Sequence, residues 1–178
     1  MRDTIRTERL LLRRWRDSDR LPFQTMNADL RVMEFMPTRL SPEDSDALSV
    51  RAERHFERHG FGPFAVELPD ELTFAGFIGL SIPAFDAPFM PAVEVGWRLA
   101  FDCWGRGLAT EGARAVVRYG FEELGLESVV SFTVPENLRS RRVMEKIGMT
   151  HDPRDDFDHP LLPEGHPLRG HVLYRLTP

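Results

Sequence analysis

The chain has 178 residues, a length that fits one compact domain over 1–178, able to bury about 70% of its unfolded surface, and leaves no room for a second catalytic domain. With 42% hydrophobic and 29% charged residues it reads as a soluble globular protein, which excludes collagen-like, coiled-coil and wholly disordered architectures. The net charge of −5 argues against a general nucleic-acid binder, and a single cysteine, Cys103, can neither close an internal disulfide nor build a cysteine-rich zinc site. The basic residues are arginines throughout except Lys146, a bias read as codon usage.

The opening segment mixes Arg2, Asp3, Arg6, Glu8 and Arg9 with Leu10 to Leu12, so no continuous apolar signal region is expected and the chain is placed in the cytoplasm. The most apolar stretch, Phe77 to Val93, carries Asp86 and three prolines and is read as strand then loop, with no membrane partner.

Thr7 to Arg13 predicts a short strand, and Asp17 the N-cap of a polar helix running to about Asn27. A second helix starts at Ser41, with Pro42 at the first helical position, Asp44 completing a capping box, Leu48, Ala52 and Phe56 on one stripe, and Gly60 as the stop. The pair His55 and His59, one turn apart near that end, is read as complementing the helix dipole. Phe61 to Leu68 and Leu72 to Ile82, joined by Pro69-Asp70-Glu71, predict antiparallel strands. After a Pro-rich loop from Ala84 to Ala92, Val93 to Leu99 alternates as a strand does. Leu108, Ala113, Val116, Val117, Gly120, Phe121 and Leu124 then recur at helical spacing, ending before Gly125. Ser128 to Val134 predicts a strand, followed by a helix with Asn137 at its N-cap and Gly148 beyond its end. Strand, helix, strand in this order implies a parallel pair with a right-handed crossover. Gly170 to Leu176 alternates as a final strand.

Trp104-Gly105-Arg106-Gly107-Leu108-Ala109-Thr110-Glu111 lies between the strand ending at Leu99 and the longest helix. Two glycines permit a tight turn and close approach of a ligand, and the helix start supplies unpaired N–H groups, an arrangement that binds phosphate. Glycines that merely turn the chain account for the same pattern equally well. A Walker loop is excluded, because no Gly-Lys-Ser/Thr follows, and so is a dinucleotide fingerprint, because its acidic residue is missing.

The segment Val93 to Met149, with Val-Glu-Val-Gly-Trp-Arg-Leu, Trp-Gly-Arg-Gly-Leu-Ala-Thr-Glu-Gly and Val-Pro-Glu-Asn-Leu-Arg-Ser-Arg-Arg-Val-Met-Glu-Lys-Ile-Gly-Met, resembles the acyl-CoA-binding core of GCN5-related N-acetyltransferases. Together with the opening Thr-Glu-Arg-Leu-Leu-Leu-Arg, it is most similar to the ribosomal-protein N-terminal acetyltransferase branch. The resemblance implies a mixed α/β (α+β) domain whose mostly antiparallel sheet splays around one parallel pair and is flanked by helices. It also implies acetyl-CoA as cosubstrate, no metal, and an amine acceptor, either a protein N-terminus or a small molecule; a homodimer is compatible with it.

On this pattern the diphosphate would meet backbone amides over Gly105, Arg106, Gly107, Leu108, Ala109 and Thr110. Trp104 stands where the family usually has glutamine or arginine. The backbone at Trp97 and Leu99 would pair with the pantetheine arm, and the Leu99 amide would polarise the thioester carbonyl. Asn137 would contact the arm, a role compatible with plain N-capping. Arg139, Arg141, Arg142 and Lys146 make a basic helix in an acidic chain, with Arg142 the first choice for the adenosine phosphates. Glu94, the carboxylate of the core strand, is the candidate base, a structural or substrate-orienting role being equally compatible. The tyrosine that many relatives place on the second helix is Met144 here, and Ser140, matching the ribosomal branch, is the candidate partner of the CoA sulfur. The missing tyrosine also supports an alternative, a non-catalytic acyl-CoA-binding or sensor protein. Cys103 has no paired histidine in sequence, which argues against a covalent acetyl-cysteine. The acidic, histidine-bearing tail from His151 to His159 lacks the spacing of a calcium or zinc site and is read as a loop whose negative charge attracts a cationic amine.

Overall fold

The structure is a computed structural model and describes residues 2–178. Its strands form one nine-stranded mixed sheet in the order β1-β2-β3-β4-β5-β6-β9-β7, with β8 also pairing β9. The elements are β1 (Thr4–Arg6), β2 (Leu11–Arg13), α1 (Arg20–Ala28), α2 (Pro42–His59), β3 (Pro63–Leu68), β4 (Leu72–Ser81), β5 (Glu94–Leu99), α3 (Leu108–Glu122), β6 (Val129–Thr133), α4 (Leu138–Lys146), β7 (Thr150–His151), β8 (Phe157–Asp158) and β9 (Gly170–Leu176). Every neighbouring pair is antiparallel except β5 and β6, whose parallel pairing rests on one register position, Glu94 opposite Val130. The helix between them, α3, supplies the crossover. This is the mixed fold with a splayed parallel pair that the resemblance implies.

Two expectations at the N-terminus are corrected. The run from Thr7 to Arg13 is not one strand: Thr7 to Leu10 forms a turn, closed by Thr7 N–H on the Leu10 carbonyl (2.9 Å) and Leu10 N–H on the Thr7 hydroxyl (2.9 Å), and the strands lie on either side. Nor does Asp17 cap α1. It opens a single 3-10 turn, Asp17–Asp19, whose N-cap residue is Arg16. Asp19, not Asp17, receives the Arg16 N–H (2.8 Å), because its carboxylate is drawn inward by the buried Arg13 guanidinium (2.8 Å on both nitrogens).

The helix at Ser41 forms as predicted. Ser41 Oγ accepts from Asp44 N–H (3.0 Å), and Gly60 ends α2 at φ 79°. The reciprocal arm of the capping box is absent: the Asp44 carboxylate takes the Ser41 hydroxyl instead (2.9 Å). His55 does not serve the helix dipole. Its Nδ1 bonds the Phe61 carbonyl (2.7 Å), its Nε2 accepts from Ile82 N–H (3.0 Å), and burial lowers its pKa, so a neutral ring ties α2 to the strands.

The main core lies between the sheet and α3. Val116, Val117 and Leu108 of α3 meet Ile78, Leu80, Val95 and Leu99 of β4 and β5. Gly112 lets the helix come this close, since a Cβ there would lie 2.4 Å from Ile78 Cδ1. On the opposite face Phe23, Met26 and Phe74 form a second cluster beneath α1, with Trp15 packed against it. The short strands β7 and β8 were not read from sequence, being two residues each and held only by β9.

Arg13 is 2% exposed and Asp19 1%, and the pair also engages Glu67 (2.8 Å) and the Thr73 carbonyl (2.7 Å). Replacing Arg13 with Met strands a buried carboxylate, and removing one partner of such a pair costs about 3–5 kcal/mol. Arg13→Met is expected to lower the urea midpoint accordingly, with the denaturant slope unchanged.

Candidate active site

A cavity of about 880 Å³ opens where β5 leaves β6 and runs from the N-terminus of α3 to a chamber beneath the segment that follows α1. The register of β5 explains its position. Ala100 N–H bonds the Ala75 carbonyl (2.9 Å), so Gly76 and Leu99 are a non-hydrogen-bonded pair and the Leu99 N–H turns away from β4. By alternation the polar groups of Trp97 point the same way, into the gap left once the pairing with β6 ends at Glu94. The Leu99 carbonyl is taken by Trp104 Nε1 (2.9 Å). Trp104 therefore acts as a hinge pin that fixes the end of β5 to the glycine turn, and its ring also packs on Phe101 and under the Arg139 guanidinium (4.6 Å).

At that turn Gly105 (φ 73°) and Gly107 (φ 79°) both occupy the left-handed region. A Cβ on Gly105 would meet nothing within 4 Å, so the protein itself does not crowd this position. What glycine supplies is the conformation and an open approach to the backbone. The first helical bond of α3 is Glu111 N–H on the Gly107 carbonyl (3.0 Å), which leaves the N–H groups of Leu108, Ala109 and Thr110 as the unpaired, partially positive helix start.

The N-terminal hairpin turn braces this loop. Glu111 accepts from the Thr7 hydroxyl (2.6 Å), the Arg9 backbone N–H (2.9 Å) and Arg9 Nε (2.7 Å), and Arg9 in turn donates to the Arg106 carbonyl (2.9 Å). These bonds hold the Glu111 carboxyl below its usual range.

Eleven of the twelve residues singled out in the sequence line the cavity: Glu94, Trp97, Leu99, Gly105, Gly107, Leu108, Ala109, Thr110, Asn137, Ser140 and Arg142. Arg106 does not, because its side chain turns outward to Glu71 (2.8 Å) and only its backbone belongs to the turn. Asn137 caps α4 by accepting Ser140 N–H (3.2 Å) and donates to the Thr133 hydroxyl (3.0 Å). The Ser140 hydroxyl has no protein partner among the described residues.

Glu94 sits on the cavity floor with no donor on its carboxylate among the described residues, and burial pushes its pKa up to about 8. Cys103 is also in the wall, but burial raises its thiol, so the thiolate is scarce near neutral pH. Neither tyrosine lines the cavity: Tyr119 reaches towards the Gly60 carbonyl (3.5 Å) and Tyr174 donates to Glu145 (3.2 Å). Met144 is 1% exposed.

The tail does not supply negative charge as expected. Asp152, Asp155 and Asp158 pair with Arg154, Arg175 and Arg169, Asp156 bonds His151, and none of the four faces the cavity. What the tail contributes instead is His159 and His171, with Leu161, Leu162 and Leu168. Burial lowers the pKa of both rings, so this wall is neutral at neutral pH. Phe85, Phe89, Phe132 and Phe157 pack around the two histidines. No group of three or more residues able to hold a metal occurs among the described residues, and no helix there is long and apolar enough to cross a membrane.

The family model of the acetyltransferase (GNAT) domain matches residues 9–150. The chain belongs to the GNAT acetyltransferase family. It is 31% identical to YnaD of Bacillus subtilis, described as an uncharacterized N-acetyltransferase, over 162 residues that cover 90% of this chain and 89% of that protein. Among solved structures it superposes on an acetyltransferase from Agrobacterium tumefaciens with a TM-score of 0.78 at 29% identity, covering 98% of this chain and 94% of that one. The ribosomal-protein-S5-alanine acetyltransferase from Vibrio fischeri gives a TM-score of 0.76 at 17% identity, covering 98% and 96%, a likeness of fold alone. This GNAT chain is an acyltransferase, and its family uses acetyl-CoA as cosubstrate.

The brace around Glu111 was missed in sequence, though Thr7, Arg9 and Glu111 all stand inside the motifs. Glu111→Ala removes the carboxylate that accepts three bonds of that brace, leaving only the bond of Arg9 to the Arg106 carbonyl, at a cost of about 1–3 kcal/mol. Amide hydrogen exchange from Gly105 to Thr110 is expected to quicken relative to the wild type, and equal exchange in the two proteins would show that the turn holds without its brace.

Proposed function

We propose that the chain transfers acetyl directly from acetyl-CoA to a primary amine. The observation that carries this reading is one continuous cavity joining the glycine turn at the start of α3 to the unpartnered Glu94 carboxyl through the gap beside β5. The backbone amides of Gly105 to Thr110 hold the diphosphate at the helix start. The Trp97 and Leu99 backbone adds the pantetheine arm as a pseudo-strand, Asn137 contacts the arm at the mouth of α4, and the exposed Arg142 meets the adenosine phosphates.

The chemistry then needs a neutral amine, a polarised carbonyl and a proton for the departing sulfur. Glu94 takes a proton from the incoming ammonium, directly or through water, and the freed lone pair attacks the thioester carbon. The Leu99 N–H, directed into the gap, receives the developing oxyanion. Collapse breaks the C–S bond, the attacking nitrogen sheds its second proton to water, and the thiolate takes its proton from the Ser140 hydroxyl, which recovers one from that water. Ser140 fills the place that the buried Met144 leaves without a hydroxyl. The raised Cys103 thiol supports direct transfer over an acetyl-cysteine.

The opening Thr7 to Arg13 motif and Ser140 support placing the chain beside the ribosomal-protein N-terminal acetyltransferases. The chamber is roofed by Arg31, Val32, Phe35, Met36 and Pro37, a segment strapped down by the ion pair of Glu34 with Arg139 and by Arg31 over the Phe101 ring (3.7 Å), which supports a small amine in preference to a folded protein's N-terminus. The lone buried cysteine fits a reducing compartment such as the cytoplasm.

Gly107→Val forces a β-branched residue into a left-handed position and is expected to raise the acetyl-CoA dissociation constant at least about ten-fold by calorimetry. Glu94→Gln is expected to leave that constant within about two-fold while lowering kcat by roughly 10²–10⁴-fold. Because the ionised carboxylate is the active form, wild-type kcat rises with pH and levels above the Glu94 pKa of about 8. Glu94→Gln abolishes that inflection, and its persistence in the variant would assign the base elsewhere.

A further inference from the structure

Arg98 belongs to β5 but is not needed by the transfer chemistry above. It shares a strand face with Glu94 and Gly96, the face away from α3, whereas Val95 and Leu99 point into the core. Its guanidinium lies in the roofed chamber, where NH1 donates to Asn27 Oδ1 of α1 (2.8 Å), NH2 to Met36 Sδ (3.1 Å), and the Phe77 ring lies 5.6 Å away. No carboxylate pairs with it among the described residues. A half-buried cation left with only an amide oxygen, a thioether and a ring is costly, and desolvation has lowered its pKa to about 10. Among the described residues Nε and one N–H on each terminal nitrogen have no acceptor, so a planar fork of donors remains available.

Between the two charged residues the floor is bare. A Cβ built on Gly96 would meet only the Glu94 carboxylate, at 3.6 Å. Four residues along a strand separate the Cα atoms of Glu94 and Arg98 by about 13 Å, and the space between them is part of the same cavity. The glycine turn that faces the diphosphate lies at the start of α3, on the other side of β5, so Arg98 is not placed to serve the cosubstrate.

We propose, building on the acetyltransferase reading, that Arg98 is an anion subsite and that the acceptor is a small amino-carboxylate. Its amine is delivered to Glu94 and its carboxylate is gripped by the guanidinium, several bonds away along the Gly96 floor. The bidentate geometry of a carboxylate suits the free fork better than a single point contact does. Binding then supplies the counter-charge that the described residues lack, so the acid group contributes affinity and sets which end of the acceptor faces the thioester.

The test compares acetyl transfer to 3-aminopropanoate, 4-aminobutanoate and 6-aminohexanoate with transfer to their carboxamides, following CoA release with a thiol reagent. Wild type is expected to favour at least one acid over its amide by about ten-fold or more in kcat/KM, mainly through KM. Arg98→Met is expected to bring that ratio to within about two-fold of unity, and Arg98→Lys, which keeps the charge and loses the fork, to leave an intermediate ratio. Should Arg98→Met fail to fold, as judged by circular dichroism, the Lys variant carries the comparison. Amides used as readily as acids by wild type, or an acid-to-amide ratio that survives the substitutions, overturns the subsite while leaving acetyl transfer in place. Acetyl-CoA binding with no transfer to any amine of either series overturns both readings.

Discussion

The site depends on one interruption of the sheet: β5 and β6 pair at Glu94 opposite Val130 and then part. A parallel pair joined through a helix would ordinarily continue, since each further residue would satisfy backbone groups that otherwise stay unpaired. Here the end of β5 is held elsewhere. The Ala100 N–H is committed to β4 and the Leu99 carbonyl to Trp104, so the strand is steered towards the glycine turn and away from β6. The polar edge left at Trp97 and Leu99 is an open sheet edge inside the molecule, short enough to remain unpaired and shaped to accept one more extended chain. The helix start at Gly107, the hydroxyl of Ser140 and the carboxyl of Glu94 matter because they border this edge.

The same interruption divides the electrostatics. On the α3 side the cavity presents the helix start and the cations of α4, which suit the diphosphate and adenosine end of a CoA molecule. On the α1 side it presents a carboxyl that burial keeps largely protonated up to about pH 8 and a guanidinium without a counter-charge. The tail completes this second chamber with a neutral wall, because Asp152, Asp155, Asp156 and Asp158 are spent on its own arginines and on His151, and His159 and His171 are packed among phenylalanines. On the reading proposed above, a chamber with a neutral wall and an Arg98 guanidinium that no described carboxylate pairs with selects by the acceptor's negative end. The tail's composition had suggested attraction of its positive end.

Much of the fold was legible because the informative elements are local. Ser41 with Pro42, the left-handed Gly60, the stripe of α3 and the N-cap at Asn137 are each decided within a few residues, and the strand-helix-strand order fixes the hand of the crossover. The candidate site was legible where motif residues act through their backbone, as at Gly105 to Thr110. It was obscured wherever a side chain's role depends on a distant partner. Arg106 lies inside the motif yet turns to Glu71, Asp17 is a good cap in isolation yet loses to Asp19 once Arg13 is buried, and nothing adjacent to Arg98 announces Asn27 or Met36. Charge in the tail misled for the same reason, since composition counts carboxylates but not the arginines folded against them.

The N-terminal hairpin shows how such a distant partnership ties the site to the stability of the fold. Glu111 sits in the first turn of α3, where its charge favours the helix but would also repel an anion bound at the same N-terminus. Arg9 and Thr7 resolve the conflict. Arg9 neutralises the carboxylate, and its bond to the Arg106 carbonyl fixes the peptide between the two left-handed glycines. The helix therefore keeps its acidic first turn while the amides of the glycine turn face an approaching phosphate without a bare negative charge behind them. Loosening the hairpin would both expose that charge and free the peptide that orients the amides, so a segment on the far side of the sheet from the acceptor chamber helps set how well the cosubstrate is held.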